Sequence, residues 1–195
     1  SHEDALAYAT GAVDGQAGDG ILAALAVGDL DGDGALEVVA GTLEGRVYVW
    51  GADGSLRDGF PVRVDPVDIS LLDRYVTLDE AIIGAPTLFD MDGDGDLEIL
   101  IAAGDSQLYA WHHDGAGVDG TPKVLCHPVN CGTHARRIVA SPSIGDVDGD
   151  GDLDIVVGTN ETLDDGKYSV THALDAQSLE ALPGWPIQVV GLGIS

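Results

Sequence analysis

A nine-residue acidic loop occurs three times in this chain, as DLDGDGALE at 29–37, DMDGDGDLE at 90–98 and DVDGDGDLD at 146–154. Carboxylates stand at loop positions one, three, five and nine in every copy. Alternate residues of an extended loop point the same way, so this spacing directs hard oxygen ligands at one point, and Ca²⁺ suits such ligands. The three copies therefore predict a repeat architecture with three structural calcium ions. The alternative, an acidic turn without metal, is much weaker for three copies in register.

The same spacing defines the ligands and the local turn. The glycine at position six is predicted to turn the chain with a positive φ. The leucine at position eight is predicted to anchor the loop against its sheet. An EF-hand is excluded because it needs glutamate at position twelve, where every copy has an apolar residue. The predicted side-chain ligands are Asp29, Asp31, Asp33 and Glu37 in loop one, Asp90, Asp92, Asp94 and Glu98 in loop two, and Asp146, Asp148, Asp150 and Asp154 in loop three.

The segments around each loop also repeat. Short apolar runs precede and follow the loop, and they have the length and composition of buried strands. An aromatic run comes next, and then a proline-containing segment that suits an edge strand. These last segments are GFPVRV at 59–64, GTPKVL at 120–125 and GWPIQV at 184–189. Four strands in about 45 residues is the period of a propeller blade, so we predict an all-β fold of three four-stranded antiparallel blades.

The repeats divide the chain into blades and connecting segments. The predicted layout is a linker or closing strand at 1–19, blade one at 20–64, an insertion at 65–81, blade two at 82–129, a connector at 130–136 and blade three at 137–195. The insertion suits a short helix or an extra hairpin. A closed propeller needs about four to eight blades. We therefore expect further blades, copies of the chain or a filament of stacked blades to complete the assembly.

The three units resemble FG-GAP/VCBS-type repeats, the blades of integrin α-subunit propellers and of many bacterial secreted proteins. The resemblance rests on the D-x-D-G-D-G-x-x-[DE] loop, the apolar strand before it and the Gly-[Phe/Trp]-Pro edge, and it covers residues 20–190 or so. It implies that the backbone carbonyl at loop position seven is a further calcium ligand. These carbonyls belong to Ala35, Asp96 and Asp152.

The two cysteines, Cys126 and Cys131, lie in the sequence CHPVNC. A disulfide that closes a short loop is the favoured interpretation, and it suits an exported protein. A soft-metal site with His127 and His134 is an alternative, although the spacing is not that of a standard zinc site. Two free thiols are the third possibility.

Composition and motifs exclude several classes of function. The net charge is -26 with only 8 Lys and Arg residues, whereas nucleic-acid binding needs basic patches. No run approaches the ~20 apolar residues of a membrane span. The chain has no G-x-S-x-G, H-E-x-x-H or phosphate-loop motif, and these would mark common catalytic sites. We therefore expect a protein that is not an enzyme.

Two classes of function remain. The first is a secreted or cell-surface module that serves adhesion or structural assembly through protein–protein contacts. The second is a carbohydrate- or peptide-binding propeller domain of a larger secreted enzyme. Trp50, Trp111 and Trp185 are candidate sugar-stacking residues, although their recurrence within the repeats favours packing. An intracellular scaffold is a weaker third class.

Overall fold

A computed structural model describes residues 20–64, 81–125, 136–138, 140–163 and 166–189. The predicted N-terminal segment 1–19, nearly all of the insertion 65–81 and both cysteines lie outside these ranges. The regular secondary structure of the described residues is entirely β. This part of the chain contains no helix long and apolar enough to cross a bilayer.

The strands fall into three units that follow one another along the chain. Unit one comprises β1 (Ala26–Gly28), β2 (Glu37–Gly41), β3 (Arg46–Trp50) and β4 (Val62–Arg63). Unit two comprises β5 (Thr87–Phe89), β6 (Glu98–Ala102), β7 (Gln107–Trp111) and β8 (Lys123–Val124). Unit three comprises β9 (Arg136–Arg137), β10 (Ser143–Gly145), β11 (Asp154–Leu163), β12 (Gly166–Asp175) and β13 (Ile187–Val189).

Each unit contains a four-stranded antiparallel meander, which confirms the predicted fold class. The strand orders are β1-β2-β3-β4, β5-β6-β7-β8 and β10-β11-β12-β13, and the sheets do not close into a ring. The proline-containing segments form the outermost strand of each sheet, as predicted, because an edge position tolerates the missing N–H. The Phe60-Pro61, Thr121-Pro122 and Trp185-Pro186 peptide bonds are cis.

Unit three departs from the other two in its central hairpin. β11 and β12 each have 10 residues, whereas the equivalent strands of unit two, β6 and β7, have 5. The register continues from the Asp154–Asp175 pair to the Leu163–Gly166 pair. The extra residues at 160–163 and 166–167 therefore lengthen the hairpin. β9 adds a fifth strand by pairing with β11, so the predicted connector 130–136 ends within a strand.

Two apolar cores lie between neighbouring sheets. One joins unit one to unit two and includes Val39, Val49, Ile99, Ile101 and Trp111. The other joins unit two to unit three and includes Leu100, Leu108, Val118, Ile155 and Leu174. Because side chains of a strand alternate between faces, unit two contributes alternate residues of β6 to the two cores. The sheets thus pack face to face in succession.

Candidate metal centre

The acidic loops occupy the same place in every unit, between the first and second strands of the meander. The residue at position nine pairs with the residue directly before the loop: Glu37 with Gly28, Glu98 with Phe89 and Asp154 with Gly145. Each loop is therefore the end of an antiparallel hairpin. This closure places position nine beside the start of the loop, and in loop three the carboxylates at positions one and nine converge although they are eight residues apart.

The carboxylate at position nine is fixed by the loop backbone in all three units. The amide at position two donates to it: Leu30 N to Glu37 Oε2 at 2.9 Å, Met91 N to Glu98 Oε2 at 2.7 Å, and Val147 N to Asp154 Oδ2 at 2.7 Å. All three acids are buried. Burying an acid is costly unless its oxygens find partners. In loops one and two a side-chain partner also contacts the second oxygen, as described below.

The remaining acids shape the loop through short-range hydrogen bonds. The position-one carboxylate accepts a backbone N–H from a glycine, such as Gly34 N to Asp29 Oδ2 at 2.9 Å and Gly149 N to Asp146 Oδ1 at 2.7 Å. Carboxylates at positions three and five each accept the N–H two residues ahead. The glycines at position six have positive φ, as predicted, and those at position four do as well.

The predicted anchor at position eight is wrong for two of the three loops. Leu36 is 53% exposed and Leu153 is 43% exposed, whereas Leu97 packs against the core between units one and two. Two glycines with positive φ, at positions four and six, change the direction of the chain before it reaches this leucine. The residue at position two is the buried one in units one and two, as Leu30 and Met91.

The predicted ligands converge in each loop, but the three sets differ. Each set brings one ligand atom per residue to within 4.8 Å of the others. Loop one brings positions one, three and five together, and loop three brings positions one, three and nine together. The sets are Asp29, Asp31 and Asp33 in loop one; Asp90, Asp92 and Asp94, then Asp94, Asp96 and Glu98, and then Asp92 and Glu98 with His112, in loop two; and Asp146, Asp148 and Asp154 in loop three. The carbonyls of Ala35, Asp96 and Asp152 stay predictions.

The chemistry of these loops fits a hard cation. Two carboxylate oxygens, Asp29 Oδ1 and Asp96 Oδ1, are buried without a hydrogen-bond partner. Burial raises the pKa of Glu98 above its ordinary value, and partial desolvation with nearby acids, Asp150 and Asp154 among them, raises the pKa of the exposed Asp148. For Asp96, burial and a neighbouring acid, Asp94, together raise the pKa. Carboxylates that are desolvated beside one another resist ionisation, and a bound divalent ion would reverse this by favouring their charged forms.

Basic side chains that sequence reasoning did not assign to the site contact two of the loops. His112 Nδ1 lies 3.1 Å from Glu98 Oε1, and His113 Nδ1 contacts Asp96 Oδ2. In loop one Arg57 bonds both Asp31 and Glu37. The Arg57 guanidinium holds the pKa of Asp31 below its ordinary value by hydrogen bonding to it. These residues follow the loops by more than a dozen positions, so no loop motif contains them.

Comparison with known families identifies the repeat. Residues 90–157 match the family model of the FG-GAP-like repeat. Over these residues the chain is similar to an FG-GAP-like repeat. The match begins at the first aspartate of loop two and continues through loop three into β11, so it includes two of the predicted FG-GAP loops. Loop one lies outside the matched residues, but its hairpin and its pinned glutamate have the same geometry. No curated protein matches the chain in a sequence search.

Proposed function

We propose that this chain is a non-catalytic, calcium-stabilised repeat module of propeller type. It acts outside the cell, in adhesion or structural assembly, through contacts with other protein. The single observation that carries the proposal is the repeated loop geometry: in each unit a buried acid is held by the loop backbone and further carboxylates converge nearby. An FG-GAP-like repeat supports a propeller-like module.

Calcium is the ion that best suits these loops. Their ligands are oxygens, and their glycine-rich backbone adapts to the irregular coordination that Ca²⁺ accepts and Mg²⁺ resists. An ion that binds the folded loop and not the unfolded chain stabilises the fold by mass action, by about 2.7 kcal/mol per site at a hundred times Kd. The acidic surface and this demand for calcium favour a location where the ion is plentiful, such as the cell exterior.

The repeated packing of sheets supports assembly through further blades. Tyr109 and Trp111 of unit two stack on each other and are buried in the core that unit two shares with unit one. The equivalent pair of unit one, Tyr48 and Trp50, stacks in the same way but is only half-buried. Among the described residues no sheet covers that face. A further blade, from another copy or from continuing chain, would complete the contact that unit two makes with unit one.

The first strand of unit one is also more exposed than its equivalent in unit two. Val27 is 58% exposed, whereas its equivalent in unit two, Leu88, packs against the core between units one and two. Contiguous exposed apolar surface commonly marks a protein–protein contact. The face formed by Val27, Tyr48 and Trp50 is therefore our proposed assembly surface.

A thermal melt with and without chelator tests the calcium proposal, and a particle-mass measurement on the same samples tests assembly. We expect EGTA to lower the melting temperature and to reduce the particle mass. Asp148→Asn removes one charge from the ligand set of loop three and should weaken the response to calcium. Asp119→Asn is the matched control, because Asp119 is exposed and lies outside the loops; it should respond like the unchanged chain.

Each part of the proposal has its own contrary result. A melting temperature that is identical with and without chelator would refute structural calcium. A compact monomer of unchanged mass in saturating calcium would refute assembly while leaving the calcium sites intact.

The stacked Tyr48–Trp50 pair also favours a second candidate, a carbohydrate- or peptide-binding domain of a larger secreted enzyme. Sugars bind to exposed aromatic faces, and this pair is the half-exposed one of the two stacked pairs in the described residues. Glycan binding by a monomer that is lost in Trp50→Ala would support this candidate. Loss of self-association in the same variant, without glycan binding at any stage, would support the assembly role.

A further inference from the structure

In loop one a positively charged side chain of the protein, Arg57, lies among the acids. The Arg57 guanidinium reaches into the loop, with Nη2 2.6 Å from Asp31 Oδ2 and Nη1 2.9 Å from Glu37 Oε1. The arginine side chain is 24% exposed, and Glu37 is almost completely buried. A guanidinium that bonds two carboxylates with separate N–H groups is held in a defined geometry. Two of the four side chains predicted to bind calcium in loop one are thus engaged by arginine.

The other units have no such cation at the equivalent backbone position. Arg57 N donates to Val49 O at 2.9 Å, and the same bond recurs from Val118 N to Ala110 O at 3.0 Å and from Leu182 N to Ala173 O at 3.0 Å. Val118 and Leu182 are buried apolar residues. They offer no charge to loops two and three. At this place in the repeat the units therefore differ by one side chain. Loop two is contacted from another place by His113, at Asp96, and by His112, at Glu98. Unlike the guanidinium, the His112 imidazole is a possible metal ligand, because it converges with Asp92 and Glu98.

The ligand sets differ in the way that this substitution predicts. In loops two and three the position-nine acid, Glu98 or Asp154, lies among the converging carboxylates. In loop one the converging set contains positions one, three and five, and Glu37 does not belong to it. The Glu37 oxygen that does not accept from Leu30 N is Oε1, and the Arg57 guanidinium bonds to it. Asp29 Oδ1 nevertheless stays buried without a partner, so the arginine satisfies only part of the loop.

We infer that the three loops are unequal: loops two and three bind calcium tightly, and loop one binds it weakly because the ion must displace Arg57 from Asp31 and Glu37. The inference rests on the proposed calcium function and deepens it. A cation that enters loop one loses two charge-assisted hydrogen bonds of the guanidinium and meets its positive charge. Without calcium, the same arginine offsets the repulsion among the loop-one acids. Loop one is therefore the loop least dependent on metal for its fold.

Calcium titration of the chelator-stripped chain tests this inference. Isothermal titration calorimetry gives the affinities, and native mass spectrometry counts the bound ions. We expect two tightly bound ions and a third bound at least about tenfold more weakly, since the loss of even one charge-assisted hydrogen bond is worth about a tenfold factor. Asp33→Asn should abolish the weak phase alone, because Asp33 belongs to the loop-one set.

Variants of the arginine supply the decisive comparison. Arg57→Met keeps the unbranched stem and removes the charge, so the third ion should join the tight class. Arg46→Met removes the same charge from an exposed side chain, whose described partner is Glu44 at 3.9 Å, and should leave the weak phase unchanged. Arg57→Lys keeps the charge without the planar fork and should give an intermediate affinity. Circular dichroism in calcium establishes that each variant is folded.

Stability gives a second readout that does not depend on counting ions. Arg57→Met should melt at a lower temperature than the unchanged chain in chelator, where the arginine offsets repulsion, and the deficit should shrink or vanish in saturating calcium. Three equal sites in the unchanged chain, or a weak phase that persists in Arg57→Met, would overturn this inference and leave the calcium proposal standing. Absence of binding at every loop would overturn the calcium proposal and this inference together.

Discussion

The packing of one sheet on the next can be tested at a glycine that recurs in every unit. Gly59, Gly120 and Gly184 precede the proline of the outer strand, and their φ values are 86°, 86° and 90°. Their surroundings differ. A Cβ at Gly59 would overlap the carbonyl oxygen of Asp114 in unit two and lie 2.8 Å from its carbonyl carbon, whereas a Cβ at Gly184 would meet nothing within 4 Å. Alanine substitution at the two positions therefore separates backbone strain from contact between units.

The expected costs follow from these two terms. Left-handed backbone costs a residue with a Cβ about 1–2 kcal/mol, and this applies equally at both positions. Forcing an atom into a packed contact adds about 1–3 kcal/mol, and this applies only at Gly59, where the opposing atoms are backbone. We expect Gly59→Ala to lower the free energy of unfolding by about 2–5 kcal/mol and Gly184→Ala by about 1–2 kcal/mol.

Gly120→Ala completes the series. Its Cβ would lie 3.3 Å from Leu179 Cδ1, the end of a side chain that is able to shift. The cost should therefore be closer to that of Gly184→Ala than to that of Gly59→Ala. The ordering of the three variants, rather than any single value, carries the test.

Urea denaturation followed by tryptophan fluorescence measures the three costs, at one fixed calcium concentration because bound ligand changes apparent stability. Samples must be dilute enough for particle mass to show a monomer. Equal losses for Gly59→Ala and Gly184→Ala in the monomer would refute the described contact between units one and two. A larger loss at Gly184 that develops only in assembled samples would mean that another copy covers unit three.

Further predictions concern the core, the pH dependence and the cysteines. Leu100→Ala removes a completely buried side chain between units two and three and should cost about 2–5 kcal/mol in urea denaturation, whereas the control Leu36→Ala, at an exposed position, should cost under about 0.5 kcal/mol. Burial raises the pKa of Asp105 above its ordinary value of 3.8, so the folded state binds this proton more tightly than the unfolded chain does, and the stability gained from protonation is lost as the pH rises through the raised pKa. In thermal melts across that pH range, the melting temperature of Asp105→Asn should therefore rise relative to that of the unchanged chain as the pH rises. A difference in melting temperature that does not change with pH would contradict this prediction. Cys126 and Cys131 lie outside the described residues; a disulfide predicts that the denatured, unreduced chain gives no thiol reaction, and labelling of both residues before reduction would contradict it.

The strand order was predictable because local signals agree with one another. Apolar runs of strand length, glycine-rich turns and a proline before each outer strand recur at matching offsets, and each signal has a physical cause that acts within a few residues. The length of the third hairpin was not predictable in this way. The sequence around 160–167 is an insertion relative to the other units. Only cross-strand pairing, as in Glu161 with Tyr168, shows that its described residues extend the strands.

The loops illustrate the limit of periodicity within one short segment. The convergence of carboxylates follows from alternate spacing, and the structure brings most of the predicted side chains together. The buried anchor did not follow from it, because Gly32 and Gly34 in loop one have positive φ and reset the direction in which later side chains point. Leu30 is buried and Leu36 is exposed, so loop one is anchored at position two and not at the predicted position eight.

Arg57 shows why residues outside the loop motif determine how the loops differ. It stands 26 residues after Asp31, so a nine-residue motif does not include it. The motif alone therefore does not distinguish the three loops. The meander brings the segment between β3 and β4 back beside the loop between β1 and β2, and the residue at that crossing then faces the ligands or the core. Arginine bonds the acids there in unit one, while Val118 and Leu182 are buried in units two and three. In a repeat protein whose backbone recurs, such a difference at an equivalent position is the place where sites with one motif acquire different affinities.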